Sequence, residues 1–112
     1  MPKGDHLGEF EHLVMLAVLR LKEDAYGMRV RREIQRRTER SVSIGSVYAT
    51  LDRLEKKGYT LSSVAASGPD SQGRARKFFR LSPGGAKALL DKEDAIQRMT
   101  EGLSLRQELE AI

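Results

Sequence analysis

The seven residues Arg74-Ala75-Arg76-Lys77-Phe78-Phe79-Arg80 hold four cations and no acid. Solubility alone does not ask for that density, whereas a polyanion such as a nucleic-acid backbone does. Residues 20–40 form a second basic block, eight cations against four acids. Such stretches can also be plain solvated faces, and charge alone leaves the two readings even. A third stretch speaks more directly. Ser43, Gly45, Ser46 and Ala49 are small or hydroxylic, and they share one side of a helical pattern with Arg53, with Tyr48 close by. Serine hydroxyls can donate to or accept from base edges, Ala49 can touch a thymine methyl, and an arginine can grip guanine with two hydrogen bonds. Each has a plainer reading. Arg53 can pair with Asp52 or Glu55, and the Tyr48 ring can cover the edge of a core. For Tyr48 the outward reading leads, because its neighbours are small and polar.

Catalysis finds few footholds. The two histidines, His6 and His12, are six residues apart and do not share a helical face as an i, i+4 metal pair does. There is no cysteine, which rules out disulfides, thiolate–zinc sites and a thiol nucleophile and fits a reducing compartment. The serines sit at caps and loops with no base in view. No enzyme, metal or cofactor is expected.

The chain has 112 residues, 39% hydrophobic, 5% aromatic and 32% charged, with a net charge of +4 and a pI near 9.6. That length supports one core, built from Leu, Val, Ile, Ala and Met. The longest unbroken apolar run, Leu13 to Leu19, is too short to span a bilayer, and the first residues lack the layout of a secretory signal. A cytoplasmic protein with no membrane association is expected.

Stepping along the pattern gives the elements that carry these residues. A first helix is expected from Gly8 to Leu21, apolar nearly all round, which calls for cover on more than one side and so for a second chain. Asp24 is a plausible cap for a second helix from Ala25 to Thr38, where Gly27 implies a close approach by a neighbouring helix or a ligand. Ser43 caps the third helix, Val42 and Val47 form a hydrophobic staple, and Gly58 supplies the left-handed stop. Two β-rich segments, Tyr59–Val64 and Lys77–Leu81, flank a loop over residues 67–73 and read as a hairpin. Ser82-Pro83 opens a C-terminal helix. Gly102 interrupts it, and Ser104 to Gln107 resembles a new capping box, so that one bent helix or two both fit. The expected fold is mainly α with a small β-hairpin: a winged helix-turn-helix over residues 1–82 and a C-terminal dimerisation region over 83–112.

Several stretches together resemble the PadR family of bacterial transcriptional regulators. They are Leu7-Gly8-Glu9-Phe10-Glu11, Ala25-Tyr26-Gly27, Ser43-Ile44-Gly45-Ser46-Val47-Tyr48, Leu51 to Gly58, Gly73 to Phe79, and Leu81 to Gly85. The resemblance covers about residues 7–90. It implies a DNA-binding repressor, a homodimer joined through its first and last helices; two reading helices in such a dimer favour a palindromic operator in double-stranded DNA. Carried over, the DNA-facing positions are Ser43, Gly45, Ser46 and Tyr48 on the third helix and Arg74, Arg76 and Lys77 on the wing. Ala49 and Arg53 join them from the helix pattern, and Tyr26 from its motif beside Gly27. The expected dimer contacts are Phe10, Val14, Leu89, Ile96, Met99 and Leu103. Some family members hold planar drugs between tryptophans, and this chain has none. An effector of another kind, or none, stays open. A winged helix serving only as a protein-interaction module is the alternative, and weak, salt-sensitive binding to bulk DNA would separate the two.

Overall fold

A computed structural model describes residues 7–66 and 75–112. The order is α1 (Glu9–Leu21), α2 (Gly27–Thr38), α3 (Ile44–Lys56), β1 (Thr60–Ala66), β2 (Ala75–Leu81), α4 (Pro83–Thr100) and α5 (Leu105–Glu110), with a 3-10 turn at Lys22–Asp24. The three first helices pack around Val14, Met15, Val18, Val30, Val47, Leu51 and Leu54, all buried. Phe79 from β2 and Leu89 from α4 close this core.

Local chemistry sets most of the boundaries. The Ser43 hydroxyl accepts from the Ser46 amide at 3.1 Å, satisfying one of the unpaired donors at the start of α3. Val42 and Val47 are both buried, as the staple requires. Gly58 turns the chain with φ +80°, and Ser82 accepts from the Gly85 amide in front of a helix that opens on Pro83. The start of α2 departs from expectation. Asp24 belongs to the 3-10 turn and Tyr26 is the cap position, because the backbone there pairs with the sheet before it coils. The Phe79 amide donates to the Ala25 carbonyl at 2.8 Å, which holds residues 25 and 26 extended. Lys22 ends α1 with φ +55°, a conformation costing a side-chain-bearing residue about 1–3 kcal/mol.

The strands pair antiparallel with Thr60 opposite Leu81 and Ser63 opposite Phe78. Directly paired residues share a face. One face carries Ser62, Lys77 and Phe79 toward α3, and the other carries Ser63, Arg76, Phe78 and Arg80. The residues expected to form the hairpin tip lie outside the described residues.

The C-terminal region is two helices. Gly102, at φ +83°, breaks the chain between α4 and α5. The expected Ser104–Gln107 box does not form; Glu108 reaches back to the Ser104 amide at 2.8 Å instead, one residue further on. Past Leu89 the C-terminal helices leave the core, and the molecule extends 54 × 33 × 21 Å.

Two of the expected dimer contacts are corrected by burial. Val14 is fully enclosed and Leu89 nearly so within their own chain, so neither side chain has a face left for a partner. The first helix, apolar nearly all round, finds most of its cover inside its own chain. Met15, Ala17 and Val18 are covered by α2, α3 and β2 of the same chain. Phe10 packs half-buried against the core, whereas Ile96, Met99 and Leu103 are exposed.

Candidate nucleic-acid interface

Along α3, Ser43, Gly45, Ser46, Tyr48, Ala49 and Arg53 are all exposed, while Val47, Leu51 and Leu54 turn into the core. The side chains expected to face a ligand therefore lie together on one outward surface. Asp52 and Lys56 share it and pair with each other at 3.2 Å, one helical turn apart. Gly45 is informative because nothing among the described residues explains it. A Cβ at this position would meet no atom within 4 Å, yet glycine costs a helix about 1 kcal/mol relative to alanine. It leaves the backbone bare in the first turn of α3, next to Ser43 and Ser46, whose hydroxyls lie 2.7 Å apart.

Gly27 has the opposite explanation. A Cβ there would stand 2.5 Å from the Tyr48 ring, so α3 lays that tyrosine directly on the bare backbone of α2. The close approach expected of Gly27 comes from a neighbouring helix. Half the Tyr48 residue surface stays open, so the ring both packs and faces outward.

Tyr26 connects this surface to the wing. Its ring meets Phe78 edge-on at 5.6 Å, and the Arg76 guanidinium lies 4.3 Å over the ring, a cation–π contact. Arg76, Tyr26, Gly27 and Tyr48 thus form one continuous strip. Lys77 points away from it, through the pleat, and its ammonium pairs with Glu55 of α3 at 3.0 Å. The Ser62 hydroxyl, then Lys77, hold the Glu55 carboxyl below its ordinary range. The two wing cations therefore diverge. Arg74 lies outside the described residues.

Arg53 is also engaged, but not as the sequence reading had it. Its Nε donates to Glu11 of α1 at 3.3 Å and its Nη2 to Thr50 at 3.2 Å. Glu11 is buried, and Lys57 donates to both its oxygens at 3.0 Å. Burial by itself would raise the Glu11 pKa; the Gly8 amide, Lys57 and Arg53 outweigh it and hold the carboxyl below its usual value. Arg53 remains about half exposed, at the border of the outward surface. Sequence reading missed Glu11 because its partners are 42 and 46 residues away.

The basic block of α2 is organised around one acid. Arg36 and Arg37 reach Glu33 from within the helix, and Arg20 reaches it from α1 at 3.3 Å. Hydrogen bonds from Arg37 and Arg36 lower the Glu33 pKa to about 2. These three arginines are tied to structure, so part of the basic excess in residues 20–40 is internal. Among the described residues no cluster of His, Asp and Glu could hold a metal ion. His12 is half-buried with its Nε2 unpartnered.

Three helices, the third exposed and hydroxyl-rich at its start, followed by a basic hairpin, define a winged helix-turn-helix protein. The model of the Transcriptional regulator PadR-like family matches residues 15–91, and the chain belongs to that family. A PadR-like transcription factor from Bacteroides fragilis superimposes with a TM-score of 0.68 at 26% identity, over 82% of this chain and 84% of that one. A PadR family transcription regulator from Clostridium difficile R20291 gives 0.67 at 25% identity, over 89% and 98%. RosR from H. salinarum gives 0.68 at 20% identity, over 91% and 84%, a likeness of fold. No curated protein matches the sequence. The family and the first two of these neighbours are described as transcription regulators. Among the described residues no helix is long and apolar enough to cross a membrane.

Proposed function

We propose that this chain is a sequence-specific repressor that binds double-stranded DNA as a homodimer. In this reading α3 enters the major groove of a palindromic operator, with Ser46 and Ala49 against base edges. The bare backbone at Gly45 lets a phosphate approach the start of α3, where the helix dipole favours an anion. Arg76, stacked on Tyr26, and Arg74 reach neighbouring phosphates, while Lys77 and Arg53 act mainly by fixing the wing and α1 to α3. Residues 83–112 join the two protomers. The observation that carries the reading is Gly45: an exposed helical glycine without an internal reason, at the centre of a small-residue surface.

The test is selection of preferred sites from random DNA, followed by binding of the winning site to Ala49→Glu. The parent should select a palindrome with half-sites about 10 base pairs apart, one turn of duplex. Ala49 is exposed, so the variant should keep its melting temperature and lose specific binding, its carboxylate facing bases and phosphates. Equal affinity of variant and parent for the selected site would put the DNA on another face.

A further inference from the structure

An open cleft of about 580 Å³ lies between the C-terminal end of α1 and the outer face of the hairpin. That volume falls within the range of small-molecule sites. Leu19 and Phe78 give it an apolar floor, and its rim carries Lys22, Arg80 and Glu23. Two cations against one acid leave a rim of net charge +1. Lys22 is also the residue held at φ +55°, and strained conformations cluster at ligand clamps.

We propose that this cleft is an effector site for a small amphipathic monoanion, a carboxylate on an apolar body. The body rests on Phe78 and Leu19, and the carboxylate takes a charge-assisted hydrogen bond from the Arg80 guanidinium with Lys22 nearby. A cationic or neutral amphiphile of the same length lacks that pairing.

The floor of the cleft is also part of the strip described above. Phe78 pairs with Tyr26 through backbone and ring, Tyr26 adjoins Gly27, and Tyr48 lies on Gly27. A ligand that shifts Phe78 therefore moves the α3 surface through contacts that already exist, a physical rather than a positional coupling. This second step rests on the DNA-binding reading; occupancy of the cleft does not.

The experiment titrates the full chain with decanoate, decylammonium and decanol, by calorimetry and by amide chemical shifts, first without DNA. Decanoate should bind saturably and shift the amides of Leu19, Ser63 and Phe78, and Arg80→Gln should weaken it about tenfold, the loss of one charge-assisted hydrogen bond. Ser63→Phe, an exposed strand position facing the cleft, should fill it and abolish binding while the chain stays folded. Equal binding of all three amphiphiles, no saturable binding, or full affinity in Ser63→Phe overturns the site. With the selected DNA present, decanoate should lower affinity in the parent and not in Ser63→Phe. Binding of decanoate with unchanged DNA affinity overturns the coupling alone, and absence of specific DNA binding by the unliganded protein overturns only the reading of α3.

Discussion

Two glycines separate what a side chain does for its own fold from what it leaves open for something else. Gly27 is consumed internally, because the Tyr48 ring occupies the space of a Cβ. Gly45 is not consumed at all. Replacing Gly45 by alanine should therefore stabilise the free protein, by up to about 1 kcal/mol from helix propensity. If a phosphate approaches the bare backbone there, the added methyl should at the same time weaken DNA binding. Thermal melting of Gly45→Ala and its affinity for the selected site would read the two effects separately. A stabilised variant with undiminished affinity would remove Gly45 from the interface. The sequence distinguishes these glycines only in part. Gly27 announces a close approach because it interrupts an otherwise good helix, but not which residue approaches. Tyr48 was legible as outward-facing from its small neighbours; that it also packs on α2 depends on the angle between two helices, which no local pattern encodes.

Among the elements, those fixed by neighbours in sequence were readable and those fixed across the fold were not. Ser43, Gly58 and Ser82-Pro83 act within four residues, and the helix ends fall where they stand. The start of α2 shifted because its backbone is claimed by β2, more than fifty residues later. The acids that lock the helices together were equally invisible. Glu11 clamps α1 to α3 through Arg53 and Lys57, and Glu33 clamps α2 to α1 through Arg20. Glu33 gives a pH prediction. Its folded pKa, about 2, lies below the ordinary 4.5, so its contribution is fully present above about pH 4.5. That contribution is lost as pH falls from there toward 2. Glu33→Gln should cost about 1.5–3 kcal/mol at pH 7, the range for hydrogen bonds to a charged group. The variant should also lose less stability than the parent over that acid interval. Parallel acid curves for the two proteins, from denaturant unfolding at each pH, would show that Glu33 is no such clamp.

For the molecule as a whole, more of the exposed large apolar residues lie at the C-terminal end than anywhere else among the described residues. Ile96, Met99, Leu103, Leu105 and Leu109 are exposed, and no residue of α5 is buried. Six helical residues do not hold together unaided in water, so α5 is the element that would gain most from the partner surface proposed above. The dimer contact proposed through residues 83–112 therefore rests on this surface, with Leu13 and Leu16 of α1 partly open beside the core, and not on Val14 or Leu89. The double variant Ile96→Lys, Met99→Lys should be a monomer by light scattering. The single-chain core should survive, since neither side chain belongs to it. The parent should be a dimer at micromolar concentration, with a melting temperature that rises with protein concentration, because association stabilises only the folded state. Operator affinity should fall by about 100-fold or more in the monomer, because two linked reading helices gain by avidity and one does not. A double variant that keeps the parent's mass would place the interface elsewhere. A variant that becomes monomeric and still binds the operator as tightly would show that one protomer suffices, and the palindrome would then have no structural cause.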